Sequence, residues 1–170
     1  MIFDFILIGI ILFLLFMLSM VWPPDSPWAP WWRTNKKTAK AICKIANINS
    51  KDVAYDLGCG DGEVLLQIAK LGARGVGIEI DPLRAFIANL RVVKNNFQNK
   101  IIIKRKNFFD EDLSKATVVI VYLVPKTLEK LLPKFKRELK KGTRIVSFRY
   151  QMNLPLKNED AINKLYLYII

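Results

Sequence analysis

The stretch from Tyr55 to Glu63, YDLGCGDGE, sets three glycines and two aspartates within nine positions, directly after an apolar pair. Glycine admits left-handed backbone and lets a ligand come close to the main chain, so such a loop suits recognition by backbone atoms. The acidity of this one limits the ligand. A dinucleotide fingerprint needs its third glycine at position 63, which is Glu63, and Asp56 ahead of the first glycine suits a cation better than a pyrophosphate. The chain also has no GxxxxGK[ST] run, which disfavours a nucleoside triphosphate.

A second carboxylate, Glu79, lies 21 positions after Gly58 at the end of the next apolar run, where it can accept hydrogen bonds from both ribose hydroxyls. Asp81 beside it reads as an N-cap, followed by Pro82 at the favoured first helical position. Asn107 and Phe108 end the third apolar run. They could hold an adenine amine and stack on its ring, or be a turn Asn and a core Phe. With pyrophosphates excluded, the expected cofactor is an adenosine bearing an amino acid and a sulfonium: S-adenosylmethionine. Its expected contacts are Asp56, Leu57, Gly58, Cys59, Gly60 and Gly62 on the loop, Glu79 and Ile80 after the second run, and Asn107 and Phe108 after the third.

These residues need a scaffold that brings run ends together. Past Ser50, short apolar runs (DVAYDL, GVGIEI, KIIIKRK, TVVIVYLV, TRIVSF) alternate with helical stretches (EVLLQIAKL, PLRAFIANLRVVKNNF, and 126–140), and KLYLYII ends the chain. Alternation of this kind predicts an α/β, Rossmann-like sheet, mainly parallel and flanked by helices, with ligands at the carboxyl ends of its strands.

The 170 residues carry 27 Lys and Arg against 15 Asp and Glu, for a net charge of +12, and contain no histidine. That balance suits anionic partners without choosing among nucleic acid, headgroups and acidic proteins. The lack of histidine excludes the usual hydrolytic triads. With only Cys43 and Cys59, neither a disulfide framework nor a zinc site is expected, and no metal is assigned.

Charge is unevenly divided: residues 1–32 contain no Lys or Arg. The uncharged run from Phe5 to Trp22 would span about 27 Å as a helix, so residues 1–22 are expected to be a transmembrane helix; the alternatives are a buried helix or a cleaved signal peptide. Residues 23–34, rich in Trp and Pro, read as an interfacial linker, and 35–170 as the catalytic domain. Arg33, Lys36, Lys37, Lys40 and Lys44 fall on one helical stripe, either a solvated face or a contact with anionic membrane lipid. Positive charge after the span predicts a single-pass protein with its domain on the cytoplasmic side.

Through DLGCGDG and GIEID the chain resembles the seven-strand class I methyltransferases. Through WAPWWRT, VAYDLGCGDG, VVIVYLVP, LKKGTRIVSFR and LYLY it resembles, more narrowly, the lysine methyltransferases of the ATP synthase c-subunit and of the adenine nucleotide translocase, with their prokaryotic relatives. Glu63 departs from the Arg usual in that family. The resemblance implies cofactor roles for Asp56, Gly58, Gly60, Glu79 and Asn107, and acceptor-site roles for Val121 and Tyr122 in VYLVP. It also implies the amine of a protein lysine as methyl acceptor, on a substrate that could be membrane-associated. A lipid or small molecule, RNA, and a non-catalytic adaptor that keeps the cofactor fold are the alternatives. Nucleic acid is disfavoured because no aromatic-interleaved RNA-binding signature accompanies the basic residues. Tyr122 reads either as the group that directs the acceptor amine or as an aromatic closing a strand end.

Overall fold

In the computed structural model the described residues are 2–21 and 32–170, with the side chains of 2, 3 and 18–21 outside the description. The strands are β1 (Val53–Leu57), β2 (Arg74–Glu79), β3 (Ile101–Arg105), β4 (Val118–Val121), β5 (Arg144–Phe148), β6 (Leu156–Asp160) and β7 (Leu165–Ile169), and each apolar run supplies one of them. They join one seven-stranded sheet in the order β3-β2-β1-β4-β5-β7-β6. The first five are parallel, and β7 runs antiparallel between β5 and β6. A first helix, α1 (Ile2–Val21), precedes residues 23–34, and the later helices are α2 (Lys36–Ile45), α3 (Glu63–Lys70), α4 (Pro82–Lys94) and α5 (Pro125–Glu138).

Burial on both faces explains why the central strands read as unbroken apolar runs. All four residues of β4 are buried, Val118 and Ile120 on one side and Val119 and Val121 on the other. One face packs Ile42 of α2 and Leu65 and Ile68 of α3. The opposite face packs Leu128, Leu131 and Phe135 of α5. Gly77 in β2 permits this layering: a Cβ there would lie 2.5 Å from Leu65 Cδ1 and 2.7 Å from Cys59 Sγ. The strand order reverses between β1 and β4, so their carboxyl ends open the crevice where such sheets bind ligands.

β6 has no counterpart in the sequence reading. Four of its five residues, LKNED, are exposed, so it carries no apolar alternation, and it exists because β7 offers it backbone partners.

The membrane expectation is corrected. In α1 the described side chains run from Asp4 to Met17, and these are exposed. Among the described residues no helix is long and apolar enough to cross a membrane, so neither the transmembrane helix nor the single-pass placement with a cytoplasmic domain is upheld. Of the linker assigned to 23–34, residues 23–31 lie outside the described residues, as does Trp22. On α2, Lys36, Lys37, Lys40 and Lys44 are solvent-exposed while Thr38, Ala39, Ile42 and Cys43 face the core.

Candidate active site

The glycine loop leaves β1 at the crevice and is tied back to β2: the N–H groups of Gly58 and Cys59 both donate to Ile78 O, at 2.8 and 3.1 Å. Gly58, Gly60 and Gly62 have φ of 80°, 55° and 76°, the left-handed region in which a side chain is strained. Gly62 N–H closes the turn on Cys59 O at 2.9 Å, and the chain enters α3 from there.

Asp56, the penultimate residue of β1, shares the side of Ala54 and points toward the face covered by α2 and α3. It is 5% exposed, and burial, reinforced by the charges of Glu79 and Asp61, pushes its carboxyl up to about 7. Glu79, also buried, accepts the N–H of Gly60 on Oε2 at 2.8 Å and that of Asp81 on Oε1 at 3.0 Å. Burial raises its carboxyl, and those two backbone bonds oppose the rise. Asp81 caps α4, accepting Arg84 N–H at 2.8 Å ahead of Pro82, as the Asp-Pro pair predicted.

These groups meet in one cavity, lined by Asp56, Gly58, Cys59, Gly60, Glu79 and Ile80 together with Phe108 and Tyr122. Leu57, Gly62, Asn107 and Val121 are not among its lining residues. Leu57 and Val121 belong to the core on the α5 face. Asn107 caps a 3-10 turn, Phe108–Asp110, its Oδ1 accepting Phe109 N–H at 3.0 Å.

Burial pushes the Cys43 thiol up to about 12 and that of Cys59 well above its ordinary value, with Asp56 adding to both, so neither is a reactive thiolate. Among the described residues no cluster of His, Cys, Asp or Glu has the makings of a metal site.

Several contributors were invisible in the sequence. Arg91, in the last turn of α4, reaches the loop: its guanidinium bonds the Asp61 backbone O at 2.8 Å and the Asp61 carboxylate at 2.7 Å, and also pairs with Glu63. Arg33 adds a second pair to Asp61 at 2.8 Å. Trp32, Thr34 and Ile42 complete the wall, and Arg84 lines it beside the acids. The signal available was the acidity of the loop, since Asp61 and Glu63 held near Asp56 call for cations. Which cations, the spacing does not say.

Buried carboxylates around an open crevice, with glycine backbone beside them, fit a cationic amino-acid ligand carried on a ribose. The ANTKMT methyltransferase domain pattern matches residues 56–156, more than half of the chain. The chain belongs to that methyltransferase family. It is an S-adenosylmethionine-dependent methyltransferase, as the resemblance implied. The methyltransferase is 34% identical over 160 residues to a protein-lysine N-methyltransferase of Saccharolobus islandicus, covering 89% of this chain and 98% of that protein. It is 28% identical over 127 residues to an ATP synthase c-subunit lysine N-methyltransferase of Caenorhabditis elegans, covering 75% of this chain and 64% of that one. Among solved structures, an RNA methyltransferase from Salinibacter ruber in complex with S-adenosyl-L-homocysteine superposes with a TM-score of 0.79 at 33% identity, over 82% of this chain and 94% of that chain.

Proposed function

We propose that the methyltransferase transfers its methyl group to the side-chain amine of lysine in a protein substrate. The observation that carries this reading is the 34% identity with a protein-lysine N-methyltransferase along nearly the whole of both chains. The site is chemically suited to it. When bound, S-adenosylmethionine supplies a methyl group on a sulfonium, a good leaving group for in-line displacement.

The residues of the chain have alignment as their main task. Asp56 would receive the cofactor's ammonium, Glu79 the ribose hydroxyls, and Phe108 and Ile80 would flank the adenine. Tyr122 follows β4 directly and lines the same cavity, where its hydroxyl can accept an N–H of the acceptor. A lysine amine has an ordinary pKa near 10.4, so only about one in a thousand is neutral at pH 7, and a neighbouring sulfonium favours the neutral form. No histidine is needed for this chemistry, and the chain has none.

RNA as acceptor is the second reading. It is favoured by the Salinibacter relative, described as an RNA methyltransferase, and by the net charge of +12. One experiment separates the two. The full chain is incubated with methyl-labelled cofactor and a cell lysate, and label is counted in protein, RNA and lipid fractions. Methyl-lysine in the protein hydrolysate is the expected result. Label confined to RNA or lipid overturns the lysine reading.

A further inference from the structure

Arg149 has a left-handed backbone, with φ 74°. That region suits glycine and is tolerated by asparagine, as at Asn47 and Asn96, whereas a long side chain is strained there, as at Arg149 and at Lys164, φ 54°, to which it is bonded. Strain of this kind persists where the surroundings over-determine it, and it gathers at functional sites. Arg149 is held in three ways. Its N–H donates to Lys164 O at 2.7 Å, which ties the end of β5 to the turn before β7. Its Nη1 donates to Tyr122 Oη at 3.1 Å. Its guanidinium stands over the Trp32 ring, 6.0 Å from the centroid. Tyr122 in turn packs its ring on Phe148, with centroids 4.3 Å apart. Tyr122 and Trp32 both line the cofactor cavity, so the guanidinium grips two of its wall residues at once.

The backbone bond to Lys164 needs no side chain. Glycine would make it without strain, so closure of the sheet does not explain why arginine stands here. The side-chain bond to Tyr122 does. We propose that Arg149 is a positioning residue for the methyl acceptor: its guanidinium occupies one lone pair of Tyr122 Oη and fixes the phenol, leaving the other lone pair for an N–H of the acceptor. This rests on the reading that Tyr122 faces the acceptor amine. A freely rotating hydroxyl would offer that lone pair only part of the time.

The test uses the full chain and a double-mutant cycle of Arg149→Gly with Tyr122→Phe, together with Arg149→Lys. Arg149→Gly relieves the backbone, so its Tm is expected to stay or rise, with the Kd for S-adenosylhomocysteine unchanged and kcat down roughly tenfold, as for the loss of one charge-assisted hydrogen bond. Arg149→Lys, which keeps a cationic donor, is expected to recover part of kcat. In the Tyr122→Phe background Arg149→Gly should cost nothing further. An undiminished cost in that background, an unchanged kcat in the single variant, or a lowered Tm with weakened cofactor binding each overturns the proposal. Turnover is measured on whichever fraction takes label. Label on RNA would therefore overturn the lysine reading while the coupling still judged Arg149.

Discussion

Gly60, in the loop between β1 and α3, and Glu79, the last residue of β2, are joined by a hydrogen bond of 2.8 Å from the glycine N–H to the carboxylate. The acid proposed to hold the ribose thus also sets the shape of the loop. Glu79→Gln exchanges one acceptor for an NH2 group, which turns a donor toward either Gly60 N–H or Asp81 N–H. Leaving a buried N–H unsatisfied costs about 1–3 kcal/mol. The variant is expected to lose stability of that order in urea unfolding and to bind the cofactor more weakly by calorimetry.

In its proposed cofactor role, Asp56 is expected to make cofactor binding depend on pH. Its carboxyl stands at about 7 without ligand, because burial and the neighbouring acids disfavour its charge. A cationic ammonium favours the ionised form, so binding below pH 7 must first expel a proton. Affinity is expected to fall roughly tenfold per pH unit below 7 and to level off above it. Stability of the ligand-free protein runs the other way. The folded state holds this proton more tightly than the unfolded chain, so the contribution of Asp56 is full below about 4 and is lost as pH rises through about 7. Asp56→Asn should flatten both profiles, read by titration calorimetry and by Tm from pH 5 to pH 9.

Tyr122→Phe keeps the ring on Phe148 and removes the hydroxyl. Turnover is expected to drop by about tenfold or more with the cofactor Kd unaltered, as befits a group proposed to direct the acceptor amine. Unchanged turnover would take Tyr122 out of the mechanism.

Arg91 holds Asp61 and Glu63 from 28 to 30 residues away in the chain. Its side chain and those of both acids are largely covered. Arg91→Met leaves Glu63 without a cation and Asp61 with Arg33 alone, and about 2 kcal/mol of stability is expected to go with the guanidinium. A lower urea midpoint with an unchanged m-value would show it. Cofactor affinity should fall as well, since the loop loses its clamp.

The strands that bear the site were legible because both of their faces are buried, which leaves runs such as VVIV without interruption. The Asp81-Pro82 cap was legible because capping is local. β6 was not, since its residues are exposed and only its pairing with β7 makes it a strand. Asn107 was ambiguous for a related reason: an Asn at a strand end serves a ligand and a turn equally well, and here its carbonyl oxygen is engaged by Phe109. The apolar N-terminal run was read as a membrane span on composition and length, and among the described residues no helix meets both requirements.

By itself, the sequence determined the cofactor class and the order of the sheet's elements apart from β6. Both rest on short-range physics: glycines that free the backbone within five positions, a carboxylate at the end of a strand, and apolar periodicity within single elements. Only the tertiary structure decided which distant groups complete the cavity. The adjacent Trp32 and Arg33, Arg91, and Arg149 lie far apart in the chain, and no spacing rule relates the three places, because side chains that meet across a sheet do so through the packing of layers whose register is set by the whole chain.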